Sequence, residues 1–227
     1  MGSHRTLRWI GSVALLAAAL ANGLFAPGAS AAVQPQHRPP SILAVLQVIQ
    51  DTVEWRTANA AAPSPSDDTG WTSVEDSQSL AAGDEVRTDQ GAAARIIHFD
   101  GTRTDMMEQS DLQIEQPDTN PQGAMVGRLL QLDGIAVHHA APADSSAGLA
   151  GFQVETLAVV ARAEGATVQV QIDPDGTTHV TYVSNGQSGP VSVQSTAAGS
   201  TPMPLTPGQA MVFPAPSGAR PPGAPRS

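Results

Sequence analysis

Between Leu80 and Phe213 the chain is cut into short segments by Gly, Asp and Asn corners about every 8–12 residues, a spacing that suits strands and leaves little room for helices. Asp100-Gly101 joins AAARIIHF (92–99) to Thr102–Met107, and Pro174-Asp175-Gly176 joins Thr167–Ile172 to TTHVTYV. Glycine at such a corner accepts a positive φ without steric cost, which is why Asp-Gly is a strong hairpin signal. The segments themselves alternate. In Thr167–Ile172, Val168, Val170 and Ile172 point one way while Thr167, Gln169 and Gln171 point the other, so one face is expected to be core and one wet. The same reading gives strands at Glu85–Thr88, Asp111–Gln116, Val191–Gln194 and Ala210–Phe213, and two strands between Ile42 and Glu54 broken at Gln50-Asp51. Gly127–Leu132 and Ile135–His138 are expected to pair around an Asp133-Gly134 turn.

The expected fold is all-β, with short antiparallel strands in a sandwich-like or short β-solenoid stack and disordered terminal segments. A sandwich-like stack is favoured. Only 4% of residues are aromatic, so the core must be built from Val, Ile, Leu, Ala and Met. Trp71 is expected to plug one end of it.

Several segments lie outside that domain. Residues 1–31 have the layout of a signal peptide: Arg5 and Arg8, an apolar run from Ile10 to Ala26, then Ala29-Ser30-Ala31 as the cleavage site. The alternative is an uncleaved anchor, but the run is only about 17 residues against the roughly 20 a span needs. Residues 32–41 read as a flexible lead-in, 42–213 as the β domain with halves at about 42–116 and 124–213, and 214–227 as a disordered Pro-rich tail. Segments 58–70, 116–123 and 140–148 read as exposed loops or links.

Charge and cysteine content narrow the function. The net charge is −10, and all 11 basic side chains are Arg. Cleavage after Ala31 would leave nine arginines against 21 acids, a net of −12. Such a chain is repelled by phosphate backbones, so no nucleic-acid partner is expected. No cysteine is present, which excludes disulfides, thiolate metal sites, a Cys nucleophile and a lipid-anchored Cys.

The order of motifs brings a family into view. Leu80-Ala81-Ala82-Gly83-Asp84-Glu85-Val86-Arg87-Thr88, Gly91, Ala94-Arg95-Ile96 and Phe99-Asp100-Gly101-Thr102 resemble the core signature of FecR-type domains. The resemblance continues through Leu112 and Ile114, Phe152–Thr156, Glu164–Val170, Asn185-Gly186, Val191-Ser192-Val193 and Leu205–Ala210. It spans about residues 43–213. It implies an extracytoplasmic β domain, as in standalone exported FecR-like proteins, whereas the family's best-known members relay a signal from an outer-membrane transporter. The family's cytoplasmic anti-sigma region is not expected here, since only nine residues precede the apolar run.

Candidate chemistry is sparse. His138 and His139 are adjacent, and neighbours on a strand face opposite ways, so they are not expected to share a metal. His98, on the Ala94-Ile96-His98 face, is expected to be a core or rim residue. Asp173-Pro174-Asp175-Gly176 lacks the later ligands of a calcium loop and reads as a hairpin turn. There is no G-x-S-x-G and no glycine-rich phosphate loop. Paired carboxylates of a glycosidase would be expected beside aromatic platforms, and only Trp9, Trp55 and Trp71 are available. The chain is therefore expected to be non-catalytic, with no catalytic, cofactor-binding or metal-binding residues and no cofactor. Its expected role is a binding, sensing or scaffold module with a protein partner at the cell envelope, in the periplasm, at the surface or secreted. It would touch membrane only through an uncleaved N-terminal segment. The alternatives are a carbohydrate- or wall-associated structural module and a secreted hydrolase. Nothing in the sequence sets an oligomeric state.

Overall fold

A computed structural model describes residues 42–58, 70–144, 146–183, 186 and 189–217. The expected signal segment, the lead-in, most of the 58–70 loop and the end of the tail lie outside the described residues, as does Asn185.

Seventeen strands and no helix are present among the described residues. They are β1 (Ala44–Gln50), β2 (Val53–Arg56), β3 (Thr72–Val74), β4 (Ser77–Leu80), β5 (Glu85–Thr88), β6 (Ala93–His98), β7 (Arg103–Met106), β8 (Asp111–Ile114) and β9 (Asp118–Thr119). The long β10 (Met125–His139) is followed by β11 (Leu149–Glu155), β12 (Val159–Ala163), β13 (Thr167–Ile172), β14 (Thr178–Val183), β15 (Val191–Ser195), β16 (Met203–Leu205) and β17 (Ala210–Phe213). The all-β expectation holds.

Two sheets share β10. The first runs β4-β1-β6-β7-β10-β13-β14-β17, using the C-terminal half of β10. The second runs β3-β2-β5-β8-β10-β11-β12-β15-β16, using its N-terminal half, with β9 also paired to the start of β10. Every pairing is antiparallel except β10 with β11, which is parallel. The architecture is sandwich-like, and the inner faces form one core around Leu46, Val86, Ile96, Met106, Leu112, Leu129, Phe152, Val170, Val180 and Tyr182.

The alternating patterns explain this closely. β5, β7 and β8 each show the half-buried, buried alternation of a strand with one wet face. The two Asp-Gly-Thr corners are superimposable in chemistry. Asp100 Oδ1 accepts the Thr102 N–H at 2.9 Å and Asp175 Oδ1 accepts that of Thr177 at 2.8 Å, with Gly101 and Gly176 both at φ 83°.

Three expectations are corrected. Asp133-Gly134 is not a hairpin turn: the chain runs through it as one 15-residue strand. Between Gln131 and Asp133 the register with β8 slips by one residue, and the buried positions change from odd (Gly127, Leu129, Gln131) to even (Ala136, His138). A β-bulge lets the strand leave one sheet for the other while still facing the same core. The 116–123 link contains the short strand β9. Thr167, expected on the wet face, is buried, because its hydroxyl is tied to His139 Nδ1 at 3.1 Å.

Candidate functional site

Four features of the described residues have the chemistry to bind or respond: a charged ladder, a buried polar chain, the sheet edges and a cleft.

The ladder lies on the outer face of the second sheet. Cross-strand register sets Glu54 opposite Arg87 and Arg56 opposite Glu85. Arg87 Nε lies 2.7 Å from Glu54 Oε2, and Arg56 is ion-paired to Glu85. Trp71 is no core plug. Its ring lies against both guanidinium groups, 4.5 Å from Arg56 and 4.3 Å from Arg87. Replacing Trp71 with Ala should cost about 1–2 kcal/mol, since each exposed cation–π contact contributes about 0.5–1 kcal/mol. Urea unfolding of the variant checks this, and an unchanged midpoint would show the stacking to be energetically idle.

Asp111 extends the ladder, opposite Arg87 on one side and Asp133 on the other. Its Oδ1 is buried without a hydrogen-bond partner. Burial, reinforced by the nearby Glu85 carboxylate, raises its pKa to about 7. Burial also raises Asp133. Neither carboxyl is among the residues that line the cleft on the second sheet.

Inside the sandwich, the sequence-weighed histidines form a chain that sequence reasoning did not assemble. His98 Nε2 lies 3.1 Å from Thr104 Oγ1, which lies 3.0 Å from His138 Nδ1. His138 Nε2 lies 3.3 Å from Gln131 Oε1, and Gln131 Nε2 donates to the Gly134 and Val170 carbonyls at 3.0 and 3.1 Å. The His98 ring lies 4.8 Å from that of Phe152. Burial lowers both histidines to about 3. They are neutral core residues. His139 faces the opposite way, as its position beside His138 requires, with Nε2 3.3 Å from Asp105 Oδ2. Among the described residues no cluster of three or more His, Cys, Asp or Glu side chains could hold a metal. Asp173–Gly176 is the β13–β14 turn, where Asp173 Oδ2 meets His179 Nε2 at 2.8 Å.

The sheet edges differ. β4 (SQSL) is polar, and β16 carries Pro204, which has no N–H to donate. β17 (AMVF) is uncharged and entirely apolar, pairs among the described residues with β14 on one side only, and leaves Val212 58% exposed. A natural edge is ordinarily blunted by charge, proline or a bulge; this one has none of them.

A cleft of about 570 Å³ opens on the second sheet. It is walled by Pro121, Val126, Pro190 and Pro204, with Arg162, Asp118 and Glu164 as its charged groups. No local motif announces it, because its walls come from three distant stretches of chain.

Among the described residues no helix is long and apolar enough to cross a membrane. No family model matches the chain. No curated protein matches it either. Among solved structures, it is similar to two crystal structures of "a putative anti-sigma factor" from Parabacteroides distasonis. The identities are 18% and 17%, and both have a TM-score of 0.42 with 58% of this chain covered. The matched region spans 59% of each of those chains, less than two thirds of their length. At this similarity neither structure transfers a function.

Proposed function

We propose that the chain is an exported, non-catalytic FecR-like β domain that binds a protein partner at the cell envelope, as a sensing or scaffold module. The observation that carries this reading is the β17 edge. An uncharged, apolar strand with one unpaired side is a template to which an extended segment of another protein can add by main-chain hydrogen bonds. The order of FecR-type motifs along residues 43–213 supports the family assignment. The Arg5–Ala31 layout supports export.

The test pairs capture with edge blocking. Protein immobilised and exposed to envelope extract is expected to retain a saturable partner. Introducing Ala210→Lys and Val212→Lys together, both at exposed positions, should abolish retention with the β-sheet spectrum unchanged. Capture that is absent, or that survives the two lysines, would overturn the edge as the binding element. Intact leader on protein recovered from the cytosol would overturn export.

A further inference from the structure

The geometry points to the 570 Å³ cleft on the second sheet as a binding site for a short zwitterionic peptide, with Arg162 receiving its terminal carboxylate. This site is separate from β17 and does not depend on strand addition there.

The first observation is the state of the arginines. Of the six in the described residues, Arg56, Arg87, Arg95, Arg103 and Arg128 are each ion-paired to an Asp or Glu. Arg162 alone holds only neutral acceptors: Nε donates to Gln153 Oε1 at 2.9 Å and Nη1 to Gln194 Oε1 at 3.4 Å. A chain with net charge −10 has acids to spare, yet among the described residues none is ion-paired to this cation.

The second observation is that the two amides are themselves fixed. Gln153 Nε2 donates to Glu155 Oε1 at 2.5 Å, and Gln194 Nε2 donates to the Ser200 carbonyl at 3.0 Å. Each amide is anchored by its nitrogen, so each presents its oxygen to Arg162. The guanidinium is thereby held in one orientation at the cleft wall with its positive charge unneutralised. A preorganised guanidinium fork is suited to a carboxylate, which it can meet with two parallel hydrogen bonds.

The rest of the lining selects among anions. Asp118 and Glu164 border the same space, so a second negative charge is repelled and a ligand ammonium is attracted. Val126, Pro121, Pro190 and Pro204 give apolar walls for small side chains. A volume of 570 Å³ is within the range of small-ligand sites and suits two or three small residues.

The test uses trialanine as the probe against the full isotope-labelled chain, followed by NMR at the Gln153 and Gln194 side-chain amides. Saturable shifts of both are expected, weakening as salt is raised. The C-terminal amide of trialanine should bind about tenfold more weakly or worse, and R162Q should lose about as much for the free acid, because both remove the same charge-assisted pair. E164Q should leave binding of N-acetylated trialanine unchanged while weakening that of the free peptide. Equal binding of acid and amide, or no saturable shift, would overturn the proposal. The acid-against-amide comparison is made on the unaltered chain, so it decides the matter even if R162Q fails to fold.

Discussion

Replacing Gly134 with Ala is expected to lower the stability of the domain by about 3–5 kcal/mol, a large share of the roughly 5–15 kcal/mol that holds a typical domain folded. Two costs add. Gly134 has φ 75°, a left-handed conformation that costs any residue with a Cβ about 1–2 kcal/mol. A Cβ there would also lie 2.4 Å from the Gln109 carbonyl oxygen, 2.5 Å from Ser110 Oγ and 2.6 Å from Ser110 Cα. Two of those atoms are backbone and cannot swing aside. If the 109–110 segment is pushed away, Ser110 Oγ loses its bonds to the Ile135 carbonyl at 2.9 Å and the Ile135 N–H at 3.0 Å, each contributing about 1 kcal/mol. Gly199→Ala is the control, with φ 78° and nothing within 4 Å of its added Cβ, so only the conformational cost applies. Urea unfolding of both variants separates the terms. A G134A midpoint no lower than that of G199A would show that the close approach to Ser110 is not tight in solution.

Gly134 also marks where the sequence stopped being readable. Hairpins closed by Asp-Gly-Thr are legible because the corner chemistry and the flanking alternation are local: the side chain of Asp100 or Asp175 needs only the N–H two residues on. Asp133-Gly134 has the same local look, and Asp133 Oδ1 even accepts the Gly134 N–H at 2.7 Å. What makes it a bulge in a continuous strand is the Gln109–Ser110 backbone packed against it from 25 residues away, which no window of sequence contains. Trp71 fails for a related reason. Its flanks gave no sign that two arginines on β2 and β5 would take its faces. The histidines show the limit most clearly. The face of His98 was readable from alternation, and so was the divergence of His138 and His139. The chain from His98 through Thr104 and His138 to Gln131 needed β6, β7 and both halves of β10 to be brought together. The cleft needed residues 118–126, 150–164 and 190–204.

That buried chain sets the second large effect: stability is expected to fall steeply in acid, and Asp111→Asn should make the fall steeper still. His98 and His138 have folded pKa values near 3 against an ordinary 6.5, so below pH 6.5 the unfolded chain takes up two protons that the folded one refuses. Their contribution is complete above pH 6.5 and is lost as pH drops toward 3, by up to about a factor of 100 in the folding equilibrium per pH unit. Asp111 has the opposite sign. Its folded pKa of about 7 lies above the ordinary 3.8, so its contribution is present below 3.8 and lost as pH rises through 7. Between pH 6.5 and 3.8 it cancels one of the two histidine protons, leaving a net slope of about a factor of ten per unit. Burial raises Asp100 and Asp133 in the same direction, which softens the lower part of the curve. Asp111→Asn keeps the shape of the side chain and removes both the buried charge and the offset. The variant should therefore be more stable than the parent at pH 8, by on the order of a thousandfold in the equilibrium constant, since the folded value lies about three pH units above the ordinary one, and should lose stability with the two-proton slope just below pH 6.5. Urea unfolding from pH 8 to 4 reads both effects. Parallel curves for the two proteins would mean that Asp111 is ionised in the folded chain at neutral pH, and a parent curve flat from pH 6.5 to 4 would mean that the histidines reach water.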